Sequence, residues 1–227
     1  MRRRPTITGD PEPAGRCSSC VREIDVTTVR APDLRTLAWM LGHPTGVGVT
    51  GVDAEGFLRA VFVELLGNGS DRTRVVIGRD ELNRLFGDRV GELPWETLLP
   101  RLQVCELLED AIEYLETDIW MAGAEKANTD LVPEAAARST SRTYWFATPG
   151  EDSDVVFQTL QRAEGYNLAG LMFGAWPHGP TIPTTTGVTE TRPLSPLAGL
   201  PLMTVSEAIT RLAGHGPTGS AEERHAG

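Results

Sequence analysis

Between residues 47 and 173, short unbroken apolar runs alternate with stretches in which apolar residues recur every three or four positions. Val47 to Thr50 reads as a strand. From Glu55, the residues Phe57, Leu58, Val61, Phe62, Leu65 and Leu66 trace one helical face, which stops at Gly67-Asn68-Gly69. Arg74 to Ile77 reads as a second strand, nearly continuous in apolar character, as expected when both faces of a sheet are covered. Asp80 is the expected cap of a helix carrying Leu82, Leu85 and Phe86. Leu102 to Cys105 gives a third strand, and Leu107 to Met121 a helix burying Leu107, Leu108, Ala111, Ile112, Leu115 and Ile119. The acids of that helix, from Glu106 to Asp118, read as a solvated face.

Residues 122 to 141 lose the period and read as a long loop. The pattern returns with a strand at Thr143 to Thr148, a helix near Ser153 to Ala163 and an apolar strand at Leu168 to Phe173. The latter runs into the turn Gly174-Ala175-Trp176-Pro177-His178-Gly179-Pro180. Beyond it, TIPTTTGVTETRP predicts an edge-like hairpin around Gly187, and Thr204 or Ser206 starts a last helix with Val205, Ala208, Ile209 and Leu212 on its apolar stripe. A short helix is also expected over 33–41, capped by Asp33. This alternation predicts an α/β domain with a mostly parallel sheet and helices on both faces, in three layers, over residues 32–213. Residues 1–31 read as a flexible leader with one possible strand at Ile24 to Val29, and 214–227 as a disordered tail.

The bulk properties narrow the functional classes. The net charge is −10, from 31 acidic and 21 basic residues, so the overall field repels a phosphate backbone and no nucleic-acid partner is expected. No apolar run reaches the roughly 20 residues that cross a bilayer, so no membrane insertion and a cytoplasmic location are expected. Three cysteines make no disulfide framework.

The most suggestive chemistry is VGVTGVDAEGFLRA, residues 47–60. Its strand, Gly51, four residues, Gly56 and apolar helix have the spacing of a P-loop. In a working P-loop, curled backbone N–H groups and a helix N-terminus hold phosphate, a lysine adds a full charge, and a hydroxyl holds Mg²⁺. Here Phe57 and Leu58 stand at the lysine and hydroxyl positions, and Asp53 and Glu55 bring carboxylates into the turn. Two like charges about 4 Å apart repel by roughly 4 kcal/mol at an effective dielectric near 20. The strand TYWFAT, best placed to offer an acid to Mg²⁺, ends in Thr148-Pro149-Gly150 instead. The turn therefore predicts a structural junction or a weak ligand site at Gly51, Asp53, Glu55 and Gly56, with no cofactor expected.

Two further groups carry candidate chemistry. Cys17 and Cys20 have metal-ligand spacing, but a closed zinc site needs four ligands and none of the others is near in sequence. A metal-linked oligomer through this pair is one alternative reading. His178 follows a strand and can face the functional edge of a sheet, so a small-molecule enzyme using Asp53, Glu55 and His178 is a second alternative. Against that stands a turn histidine beside a packed Trp176, and Trp39, Trp95, Trp120 and Trp145 are expected to be packing residues as well.

Together the Gly-x₄-Gly junction at 47–66, the VVI strand with its helix at 75–86, and LMFGAWPHGPT at 171–181 resemble the degenerate P-loop-like domain of large actinobacterial regulatory proteins that combine LysM and BTAD-type activator modules. In that family a glycine turn without the Walker lysine precedes an apolar helix, and a strand runs into a G-x-W-P-x-G turn, matched here by Gly174, Trp176, Pro177 and Gly179. The resemblance covers roughly residues 45–190 and does not extend to a LysM module or a winged helix. It implies a P-loop-NTPase-like fold that is catalytically inactive and acts as a regulatory or interaction domain, with a protein partner.

Overall fold

In the computed structural model, which describes residues 43–68, 72–128, 142–184 and 202–214, the apolar runs of the sequence form one six-stranded sheet. The strands are β1 (Val47–Thr50), β2 (Thr73–Gly78), β3 (Leu102–Cys105), β4 (Arg142–Ala147), β5 (Leu168–Phe173) and β6 (Thr181–Pro183). Their order across the sheet is β3-β2-β4-β5-β1-β6, and every neighbouring pair is parallel. The helices are α1 (Ala54–Gly67), α2 (Arg79–Phe86), α3 (Trp95–Leu98), α4 (Leu108–Asn128), α5 (Ser153–Arg162) and α6 (Val205–Gly214).

Period-two alternation sorts the strand side chains between two cores. Val47, Val49, Val75, Ile77, Tyr144, Phe146, Leu171 and Phe173 meet α1, α2, α3 and α6 on one face. Val76, Trp145, Ala147 and Met172 meet α4 and α5 on the other. The expected three-layer α/β arrangement is therefore the observed one. Connections running toward β3 cross the first face, and those running toward β6 cross the second. That division is what a single handedness of crossover imposes on a parallel sheet.

The tightest constraint lies between β5 and β6. Strand β1 sits between them, so the seven residues Gly174 to Pro180 must return from the carboxyl end of β5, pass over β1 and start β6 alongside it. Gly174 reverses the chain at φ +104°, and its N–H donates to the Val49 carbonyl at 2.9 Å. The return then presses on β1 at Gly48, where a Cβ would lie 2.6 Å from the Gly174 carbonyl oxygen and 2.8 Å from the Trp176 nitrogen. Both are backbone atoms, so no side-chain rotation relieves the overlap. Trp176 drops into the second core, and its indole N–H donates to the Thr45 carbonyl at 2.6 Å.

Several expectations change. Thr181 to Pro183 forms a parallel strand on β1, because the return segment delivers it pointing along β1. The N-cap of α2 is Gly78, with Asp80 inside the first turn. Helix α4 continues to Asn128, past the expected stop at Met121, since Ala-Gly-Ala-Glu-Lys-Ala contains three alanines, the strongest helix formers. Leu107 precedes α4 and is exposed instead of buried. Trp120 is 74% exposed, against the packing role expected of it, whereas Trp145 and Trp176 are buried. Thr204 starts α6 as anticipated, through a reciprocal box: Glu207 N–H donates to Thr204 Oγ1, and Glu207 Oε2 accepts from Thr204 N–H at 2.9 Å. The readings over 24–29, 33–41 and around Gly187 lie outside the described residues.

Because the crossing at Gly48 is backbone on backbone, Gly48→Ala is expected to lower unfolding free energy by about 3 kcal/mol or more in urea denaturation. Gly91→Ala, where an added Cβ meets nothing within 4 Å, leaves it within about 1 kcal/mol of the parent. Equal stability of the two variants would contradict the crossing.

Candidate functional site

In parallel sheets ligands gather at the carboxyl ends of the strands, above all where neighbouring strands send their connections to opposite sides. Two places along this edge meet a version of that description. One is the glycine turn after β1. The other is the crevice between β2 and β4, whose connections leave for opposite faces and in opposite directions.

At the first, β1 ends at Thr50 and α1 begins at Ala54, so only Gly51, Val52 and Asp53 join them. Gly51 takes φ +110°, a conformation that favours glycine. The Ala54 N–H donates back to the Gly51 carbonyl at 3.2 Å, which closes a tight turn instead of pointing into a cradle. Asp53 is the N-cap residue, without a side-chain capping bond. Gly56, the second glycine of the frame, lies inside α1 against the chain entering α6. Its carbonyl accepts the Met203 N–H at 3.1 Å, and an added Cβ there would meet Met203 O and Leu202 Cβ at ordinary contact distances of 3.7 and 3.8 Å. Only the first glycine of the pair is demanded by backbone geometry.

A buried arginine one turn further along holds this contact together. Arg59 donates from Nε to the Leu85 carbonyl in the last turn of α2 and from Nη1 to the Met203 carbonyl at 2.6 Å. Carbonyls at a helix carboxyl end lack intrahelical partners and carry partial negative charge, so a guanidinium suits them. Burial pushes the Arg59 guanidinium below its ordinary value, and the Glu55 carboxylate acts in the opposite direction. Glu55 itself is paired with Arg84 at 2.8 Å, and the Arg84 guanidinium lies 5.0 Å from the ring centre of Phe173, the last residue of β5.

At the second place the chain fills the crevice with its own carboxylate. Glu81, in the first turn of α2, folds back over the end of β2 and accepts the Thr148 N–H at 3.0 Å. Its Oε2 stands where a Cβ on Gly78 would be, 2.1 Å from that position, so Gly78 makes room for it. Beside it Arg79 pairs with Glu106 at 2.8 Å across β2 and β3, and that hydrogen bond holds the Glu106 carboxyl below the usual carboxylate range. Cys105, next to Glu106, is buried, and its burial pushes the thiol up and away from thiolate chemistry.

His178 lies on the other face of the sheet from the Glu55–Arg84 pair. Its ring stacks on Phe157 with centroids 4.4 Å apart and meets Trp176 edge-on at 5.1 Å. Asp154 Oδ1 is 3.0 Å from the buried Nε2, without an aligned hydrogen bond. The structure thus brings Gly51, Asp53 and Glu55 to one edge, turns Gly56 toward α6, and keeps His178 with α5. Cys17 and Cys20 lie outside the described residues, among which no three histidine, cysteine or carboxylate side chains gather to hold a metal. Gly78, Glu81 and Arg59 carry no motif in the sequence. The available signal was an apolar strand running straight into Gly-Arg-Asp-Glu.

Two substitutions measure these contacts. Arg59→Met keeps much of the aliphatic stem but strands two carbonyls, and is expected to cost about 2–3 kcal/mol in urea denaturation. Glu81→Gln removes a charged acceptor from a solvent-accessible bond, and should cost about 1 kcal/mol and shift the Thr148 amide resonance upfield. An unmoved Thr148 resonance would contradict the Glu81 contact. No protein-family model, curated protein or solved structure matches this chain.

Proposed function

We propose that this chain is a protein-interaction domain, of a regulatory kind, on a P-loop-like α/β frame that does not transfer phosphoryl groups. The observation that carries the reading is the placement of exposed apolar surface. Trp120, the most exposed large aromatic residue among those described, projects from α4 beside exposed Met121 and Val155. Tryptophan seldom stays in water without a use, and it is among the commonest anchors of protein interfaces.

The carboxyl edge supports the same reading. A three-residue turn offers little backbone to wrap a polyphosphate, Phe57 and Leu58 are fully buried in the core, and the nearest guanidinium, Arg84, is already paired with Glu55. Glu81 occupies the neighbouring crevice. Titration calorimetry with Mg-ATP at up to about 1 mM is expected to give no saturable heat. A dissociation constant tighter than about 100 μM would overturn the reading.

A further inference from the structure

The stripe of α4 that faces α5 reads Glu109, Ile112, Glu113, Glu116 and Trp120, a spacing that keeps these residues on one side of the helix. With Val155 of α5 they line an open groove of about 460 Å³. At about 1.5 Å per residue, the stripe is roughly 17 Å long, close to three helical turns. Its floor and end are apolar, with Trp120 standing 74% and Val155 46% out of contact with the protein.

The polar lining has one sign. Glu116 is engaged by Arg162, while Glu109 and Glu113 have no ion-pair or hydrogen-bond partner among the described residues, and no basic side chain lines the groove. A second copy of this chain would bring the same acidic rim and another net charge of −10, so like charges oppose pairing of the two grooves. An anionic lipid surface or a nucleic acid is opposed for the same reason.

We propose that the α4–α5 groove receives a cationic amphipathic helix of a partner protein, seating an aliphatic or aromatic side chain against Trp120 and Val155 and pairing Lys or Arg with Glu109 and Glu113. This rests on the protein-interaction reading and names the partner's chemistry. A helix laid between two helices meets an apolar stripe over three turns, and its basic residues flank that stripe at i, i+4 spacing, as the glutamates do. Desolvation by the seated apolar residue strengthens the charge pairs at its edge, so the two contacts act together.

The test uses the full chain and three labelled amphipathic helical peptides of about 18 residues, built from Leu with Lys, Leu with Gln, and Leu with Glu. Fluorescence anisotropy is expected to show the Leu/Lys peptide bound with a dissociation constant below about 100 μM, and the other two bound at least about tenfold more weakly. Trp120→Ala, at an exposed position whose folding is checked by circular dichroism, weakens the Leu/Lys peptide at least about tenfold, as does Glu109→Gln with Glu113→Gln. Raising salt from about 50 to 500 mM weakens it as well. Equal binding of the Leu/Gln peptide, or indifference to Trp120→Ala, overturns the proposal. So does a dimer in sedimentation velocity that Trp120→Ala dissolves, which assigns the groove to a second copy. Acrylamide quenching that is unchanged on loss of Trp120 overturns it too, since another segment of this chain then covers the ring. Nucleotide calorimetry tests the underlying reading separately, so failure of the peptides alone leaves that reading standing.

Discussion

The return of the chain across β1 is the constraint on which this fold depends. A parallel strand added beyond β1 must start at the amino end of the sheet, yet β5 releases the chain at the carboxyl end. The usual solution is a helix of a dozen residues or more. Here the distance is covered by Gly174 to Pro180, without a helix, and such economy demands that backbone lie directly on backbone. Gly48 supplies the missing side chain, Gly174 the reversal, and Trp176 the apolar mass that holds the return down. Gly179 completes the fit, since a Cβ there would lie 2.5 Å from the Gly46 carbonyl oxygen. The G-x-W-P-x-G sequence is thus accounted for by packing geometry.

That same economy fixes the carboxyl edge. With β6 brought alongside β1, Thr184 can donate both its N–H and its hydroxyl to the Thr50 carbonyl, at 2.7 and 2.8 Å, and so pins the strand immediately before the glycine turn. On the other side of the turn, α6 is held to α1 through Gly56, Arg59 and Met203. The turn is therefore clamped from both ends by segments far away in sequence. Along the rest of the edge, arginines and carboxylates meet each other: Arg79 with Glu106, Arg84 with Glu55. Exposed pairs of this kind contribute little to stability, but they leave the edge locally neutral and already hydrogen-bonded. The helical face carrying Glu109 and Glu113 differs, with charge left uncompensated beside bare apolar surface.

The strands and the main helices were legible because local periodicity reports burial, and burial on both faces gives the short runs VGVT, RVVI, LQVC and LAGLMF. What periodicity does not encode is which strand lies beside which. The parallel direction of Thr181 to Pro183 follows from the path of the chain over Gly48, a relation between residues more than 120 positions apart. Glu81 was hidden for a similar reason, since a glutamate in a first helical turn looks like an ordinary helix-dipole partner until its neighbour Thr148 is known. Trp120 was expected to pack because tryptophan carries a large apolar ring. Its exposure arises from the helical face it occupies, which it shares with Glu109 and Glu113 and which lies opposite buried Ala111 and Leu115. Asp53 and Glu55 lie at the start of α1, whereas His178 is carried to the opposite face by the return segment.

The position of β1 has a consequence for how the chain is made. It is the first of the described strands to leave the ribosome, but its only neighbours in the sheet are β5 and β6, with Val47 paired to Leu171. At about 5–20 residues per second, the 123 residues between those two partners take roughly 6 to 25 seconds to synthesise. For that interval VGVT waits without the strands that later pair with it. The portion of the sheet built from β2, β3 and β4 has its pairing partners earlier in the chain. A nascent chain that ends before Leu171 is thus the one with the most to gain from a chaperone that shields extended apolar segments.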